Sequence, residues 1–229
     1  MRILALDTAT QACSTALLTA GAAITRELLT ERGHAEHILT MVDAVLLEAG
    51  IGLAGVDALA FGRGPGAFTG VRLAASVAQG LAFAASLPVV PISDLTAVAQ
   101  RALELDASLD HVLVCHDARM SEIYWGCFDR GAGGLAAAVG AEHVSAASAV
   151  ELPPSWRGPI GGAGQGFRAY PELRTHLEGS LASVQDELLP RALEIARLAW
   201  PNVLAGRTVG AHEAVPVYVR DNVTRASRN

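Results

Sequence analysis

The sequence predicts an α/β protein made of one lobe plan used twice, and three observations carry that prediction. Two apolar runs, RILALD (2–7) and HVLVCHDAR (111–119), each close on an aspartate, Asp7 and Asp117, as buried central strands do. Each half carries a glycine-rich turn after a short apolar approach, GRGPG (62–66) and GGAGQG (161–166). Strands in meander order then give way to alternating helix and strand, the pattern of an α/β lobe, and its restart halfway along the chain implies duplication.

The elements follow in order. After the strand at 2–7, STALLT (14–19) and AITRELLT (23–30) flank a turn at Gly21 and complete a three-strand meander. Apolar periodicity predicts a helix from His34 to Ala49, stopped by Gly50. A strand at 56–61 leads into the glycine turn, and a long helix from Thr69 to about Ser86 follows. PVVPI (88–92) is a strand, and Ser93 caps a helix reaching Leu105. EIYWGCF (122–128) is the next strand of the second half, and helical periodicity returns at 191–200. The expected division is a first lobe over 1–106, a smaller second lobe over 107–214, and a tail, 215–229, that packs back on the first. Within that tail VPVYVRDN (215–222) reads as ordered and TRASRN as frayed.

Composition narrows the chemistry. The chain has 229 residues, 51% of them hydrophobic and 17% charged, which excludes a disordered chain. No run approaches the ~20 consecutive apolar residues of a membrane span, and the N-terminus lacks a signal-peptide layout, so a cytoplasmic protein is expected. Cys13, Cys115 and Cys127 form neither a disulfide framework nor a zinc pattern. All 17 basic residues are arginine, which excludes a P-loop lysine, a Schiff-base lysine and a lysine base. A net charge of −6 argues against holding nucleic acid alone on a basic face.

The glycine turn has two readings. Free N–H groups at Gly64–Gly70 with Arg63 and Arg72 could cradle a phosphate, although neither a Walker nor a Rossmann spacing is present. Alternatively the glycines let the loop and helix pack closely on a neighbour. Helix 69–85 decides more. Its polar residues Arg72, Ser76 and Gln79 make one narrow stripe, and Ala74, Ala78, Ala82 and Ala85 make a small-residue face. In helix 34–49 a core stripe of Ile38, Met41, Val42, Val45 and Ala49 is widened by Leu39 and Leu46. Two adjacent helices with so much apolar surface point to a partner, the alternative being that both are covered on two sides within the monomer.

Other constellations fall away. HAEH (34–37) spaces its histidines at i and i+3 with no third ligand, so it reads as a polar cluster at the partner rim, and no metal is expected. Cys115 and His116 are strand neighbours and point to opposite faces, out of reach of each other. Asp7 and Asp117 read as single carboxylates closing Asx-type turns.

Taken together, LALDTAT (4–10), RGHAEHILTMVD (32–43), GRGPGAFTGVRLAASVAQGLA (62–82), DARMSEIYWGCF (117–128) and PVYVRDN (216–222) resemble the bacterial TsaB (YeaZ) family over nearly the whole chain. The resemblance implies two RNase H-like lobes of the actin/Hsp70/sugar-kinase superfamily. It also implies a part in making threonylcarbamoyladenosine on tRNAs that read codons starting with A, as the non-catalytic partner of the related catalytic subunit TsaD, together with the ATPase TsaE. A homodimer through the same helices when TsaD is absent, tRNA contact only through the complex, and no cofactor are implied as well. TsaD-like sequences carry a metal-binding histidine cluster after the strand that matches 88–92. Here Ser93, Asp94, Thr96 and Val98 stand in that stretch, which has no histidine.

The expected partner contacts are His34, His37, Leu39, Met41, Val42, Leu46, Phe68, Arg72, Ala75 and Gln79. A residual nucleotide site would use Asp7, Thr8, Gly64, Gly66 and Asp117. The rival readings are an ATP-dependent small-molecule kinase of the same superfamily and a peptidase.

Overall fold

The computed structural model describes residues 1–220; the part of the expected tail beyond them, 221–229, lies outside the described residues. Two five-stranded sheets carry the fold. The first contains β1 (Arg2–Asp7), β2 (Ala12–Thr19), β3 (Ala23–Leu29), β4 (Ala58–Gly62) and β5 (Val89–Ile92), in the order β3-β2-β1-β4-β5. β1, β2 and β3 pair antiparallel, and β4 and β5 add in parallel. The second sheet repeats the plan with β6 (His111–Asp117), β7 (Ile123–Arg130), β8 (Ala136–Ser145), β9 (Ile160–Ala163) and β10 (Ser183–Gln185), in the order β10-β9-β6-β7-β8. Again the first three are antiparallel and the last two parallel. This is the RNase H-like order, used twice, as the resemblance implied.

The predicted helices are present as α1 (His34–Glu48), α2 (Phe68–Ala85), α3 (Asp94–Leu105) and α6 (Ala192–Leu204), with short α4 (Gly166–Ala169) and α5 (Glu172–His176) between. Ser93 is the N-cap of α3, its side chain accepting from Thr96 N. Three strands go beyond the sequence reading. β9 takes Gly161–Ala163 out of the run expected as a glycine-rich turn, because these residues pair with β6 and β10. β8 and the short β10 lack an alternating apolar pattern, β8 carrying a run of alanines and Gly140.

β1 is buried on both faces, and its period-2 alternation divides two cores. Leu4 and Leu6 face α1 and α2 on the outer side, together with Leu59 and Phe61 of β4. Ile3 and Ala5 face a central core shared by both lobes, which Val112 and Val114 of β6 enter from the other sheet. Leu113 and Cys115 point to a third core with Trp125, Phe167 and Leu173.

The helices between the sheets are exchanged relative to the expected division at 106/107. α3, which follows the first sheet in sequence, packs on β6, β7 and β8, whereas α6, which follows the second, packs on β1, β2 and β4. α3 and α6 also pack on each other. The physical reason is the shared core: α3 needs an apolar seat for Leu95, Val98 and Leu103, and the sheet of its own half already has α6 on that face.

Candidate docking face and glycine loop

α1 lies over β2 and β3, and α2 over β4 and β1, side by side on the outer face of the first sheet. Their inner faces are built into the core: Ile38, Val42, Val45 and Leu46 from α1, and Val71, Ala74, Ala75, Ala78 and Ala82 from α2. The alanine face lets α2 approach the sheet closely. Three expected contact residues are thereby corrected. Val42 (2% exposed), Leu46 (7%) and Ala75 (2%) are core residues facing the sheet and cannot meet a partner.

What remains outside is still apolar. Leu39 and Leu47 of α1 and Phe68 and Phe83 of α2 are half to more than four-fifths exposed. Sequence reading missed Leu47 and Phe83, although both sit on the outward side of their helices at i+8 from Leu39 and i+15 from Phe68. Down α2 the outward stripe runs Phe68, Arg72, Ser76, Gly80, Phe83, with small residues in its middle. α2 is also long and apolar enough, by length and composition, to cross a membrane (18 residues, mean hydropathy 1.2), with a third of it buried in this fold. A count of consecutive apolar residues missed this, because Arg72, Ser76, Gln79 and Gly80 interrupt the run.

The other expected contacts surround this surface. His37 is exposed, whereas His34 is half-buried and its Nε2 is 2.9 Å from Thr10 O. Met41 is half-buried beside the Cys13 thiol. Arg72 stacks on Phe68, its guanidinium carbon 3.6 Å from the ring centroid, and donates to the Tyr218 hydroxyl at 2.7 Å. Gln79 donates to Ala214 O at 3.0 Å. The segment 214–220 therefore runs along α2 and then crosses to the second lobe, where Arg220 pairs with Glu122 and donates to Ala118 O. There it holds a turn in which Arg119, Met120 and Ser121 all have left-handed backbone, φ 57–62°.

The glycine loop answers its two readings by geometry. A Cβ on Gly70 would lie 2.1 Å from Thr8 O, and one on Gly66 2.6 Å from Ala9 O. Gly64 adopts φ +99° and its Cβ position faces Val217 O at 3.0 Å. Gly66 and Gly70 serve close packing of loop and helix against the chain that follows β1, and Gly64 serves close packing against Val217. Thr8 is buried, and its hydroxyl donates to Gly70 O at 2.7 Å. Asp7 is fully buried, accepts from Ala9 N at 3.0 Å, and lies against Asp94, itself fully buried at the start of α3. Burial pushes the Asp7 carboxyl up to about 6, and burial together with Asp7 holds Asp94 well above the usual range.

Asp117, in the other lobe, accepts from Tyr170 Oη at 2.8 Å and from Arg119 N at 2.7 Å. Between the lobes a cleft of about 300 Å³ is lined by Arg63, Ser93, Thr96, Ala136 and Asn202 among others. None of Asp7, Thr8, Gly64, Gly66 or Asp117 lines it, so the structure does not gather the expected nucleotide residues into that cavity. Arg63 is tied across the cleft to Glu142 at 3.3 Å.

Cys115 and His116 are both buried. Burial pushes the thiol well above its usual range and lowers His116 to about 4, so the pair is thiol and neutral imidazole, without a thiolate to attack anything. Among the described residues no three His, Cys, Asp or Glu side chains converge to hold a metal ion. The stretch 88–100 offers no imidazole, and Asp94 is turned inward onto Asp7, so these residues do not form the histidine cluster that the resemblance places there in TsaD-like sequences.

The comparisons with known proteins agree with this architecture. A family model described as "TsaD: tRNA N6-adenosine threonylcarbamoyltransferase" matches residues 28–194. The chain is 42% identical to the tRNA threonylcarbamoyladenosine biosynthesis protein TsaB of Haemophilus influenzae, covering 98% of this chain and 95% of that one. It is 39% identical to TsaB of Escherichia coli, covering 97% and 96%. The solved structure of YeaZ from Pseudomonas aeruginosa superposes with a TM-score of 0.87 at 43% identity, covering 95% of this chain and 99% of that one. With 39–43% identity over 95% or more of both chains in each of these comparisons, this chain belongs to the TsaB (YeaZ) family.

Proposed function

We propose that this protein is a non-catalytic accessory subunit in the biosynthesis of threonylcarbamoyladenosine on tRNA. In this reading it works in the cytoplasm and docks α1 and α2 onto the equivalent helices of a TsaD-like threonylcarbamoyltransferase, with a TsaE-like ATPase joining the assembly. The carrying observation is the outer face of these two helices, where Leu39, Leu47, Phe68 and Phe83 stand in water while the sheet side is already filled. Surface of that kind is costly to leave wetted, at about 25 cal/mol per Å², and marks an interaction site.

Charge helps define the partner. Glu36 and Asp43 are exposed on α1, whereas Glu48 is paired with Arg26 of β3, so a partner with an apolar centre and a basic rim complements the face. The small residues Ser76 and Gly80, between Phe68 and Phe83, leave room for a crossing helix. The same stripe is suited to a second copy of this chain about a twofold axis when the partner is absent. Transfer chemistry then belongs to the partner, and tRNA is met through the complex, in keeping with the acidic net charge of −6.

The test is co-purification with the TsaD-like protein of the same cell, repeated with Leu39→Asp and Phe83→Asp. Both residues are exposed, so a charge there leaves the fold intact and places an unpaired carboxylate in the interface. Loss of the complex with both variants is expected; full binding by both refutes the docking face. Hydrolysis of Mg-ATP by the purified chain with a small-molecule acceptor would instead favour the kinase rival.

A further inference from the structure

The two acids under the glycine loop have no task in partner docking, yet they are among the most completely buried polar groups in the molecule. Asp7 ends β1 and Asp94 begins α3, and each is 0% exposed. Each has one oxygen satisfied by backbone: Ala9 N donates to Asp7 Oδ1 and Gly64 N donates to Asp94 Oδ2. The remaining oxygens, Asp7 Oδ2 and Asp94 Oδ1, are buried with no other partner among the described residues. Both carboxyl groups crowd over Gly62, where a Cβ would meet Asp94 Oδ1 at 2.3 Å and Asp7 Oδ1 at 2.5 Å. Two ionised carboxylates cannot share so dry a site, and an orphaned buried oxygen is expensive.

We propose that Asp94 is held as the neutral acid and donates its proton to Asp7, so that one shared proton fastens the glycine loop between the end of β1 and the start of α3. The fastener spans three segments remote in sequence, and Gly62 is the residue that makes room for it. Other groups facing the pair do not replace the proton. Arg63 is the neighbouring cation, and its guanidinium is engaged with Glu142. Cys13, on β2, is pushed up to about 11 by burial and by Asp7, so it is an uncharged thiol at neutral pH.

The loop therefore tightens or slackens with the occupancy of one proton. In the unfolded chain both aspartates ionise near pH 4. As proposed, the folded pair still carries its proton between pH 7 and 8, in which case folding takes up one proton and weakens as pH rises. Asparagine at 94 has the shape of the neutral acid: its oxygen accepts from Gly64 N and its NH₂ donates to Asp7 without any titration.

The experiment compares the full chain with Asp94→Asn by urea denaturation between pH 7 and 8, and follows the aspartate side-chain carboxyl carbons of the unmodified chain by NMR. The unfolding constant of the unmodified chain is expected to rise about tenfold more per pH unit than that of Asp94→Asn. The Asp94 carboxyl resonance should sit at its protonated position at pH 7. Equal slopes, or an Asp94 carboxyl that titrates near pH 4, overturns the proposal. The resonance is read on the unmodified chain, so a variant that fails to fold leaves the test intact.

Discussion

Replacing Gly70 by alanine drives a methyl group into backbone, and the size of the effect follows from the contacts. The new Cβ would stand 2.1 Å from Thr8 O, 3.0 Å from Thr8 C and 3.3 Å from Ala9 Cα. None of these can rotate away, because Thr8 follows β1 directly and its hydroxyl is bonded back to Gly70 O. Relief requires the start of α2 to lift from the 8–9 segment by more than an ångström. Such overpacking costs roughly 1–3 kcal/mol, at the upper end here because the atoms met are backbone, against which alanine's better helix propensity returns up to about 1 kcal/mol. The net loss of about 2 kcal/mol lowers Tm by roughly 4–8 °C in a chain of this size.

Gly80 provides the matched control. It lies in the same helix, exposed, with nothing within 4 Å of its Cβ position. Gly80→Ala should raise stability by up to about 1 kcal/mol through the same propensity. Thermal unfolding by circular dichroism separates the two, with opposite signs expected. Equal Tm values for Gly70→Ala and Gly80→Ala would refute the assignment of the loop glycines to close packing.

Further expectations concern buried ionisable groups and the crossing segment. Glu194 is fully buried and held by two bonds from Arg191, so Arg191→Met strands a carboxylate and should cost about 3 kcal/mol in urea denaturation. His116 is neutral in the fold, lowered to about 4 from 6.5, so its contribution is present above pH 6.5 and is lost as pH falls toward 4. His116→Phe should remove up to about 3 kcal/mol of that acid destabilisation, measured as a flatter stability curve between pH 6.5 and 4. Arg220→Ala should leave global stability within about 1 kcal/mol but speed amide exchange at Glu122, whose N–H bonds to Arg119 O within the left-handed turn that Arg220 holds.

The legible parts of the fold were those whose signals are local. The apolar run 2–7, the glycine turn into α2 and the Ser93 cap each carry their cue within a few residues, and all three stand in the structure. Long-range choices were not legible. That α3 seats on the second sheet and α6 on the first depends on which apolar face is vacant after both lobes form, and periodicity along one helix cannot express it. The docking face shows the same limit. Leu39 and Leu46 look alike in sequence, but one is half exposed and the other core, because the sheet beneath fixes which way α1 is turned. Ala75 read as a contact position because it is small, whereas smallness here serves the approach of α2 to the sheet. The Asp7–Asp94 contact joins residues far apart in the chain and left no spacing to find.

The central claim is that α1 and α2 exist to be covered by a catalytic partner, and amide hydrogen exchange tests it most directly. The chain is measured alone and in complex with the TsaD-like protein. New protection is expected along residues 35–48 and 68–84, with the second sheet unchanged. Protection confined to the second lobe or the cleft, with both helices exchanging as in the free chain, would contradict it.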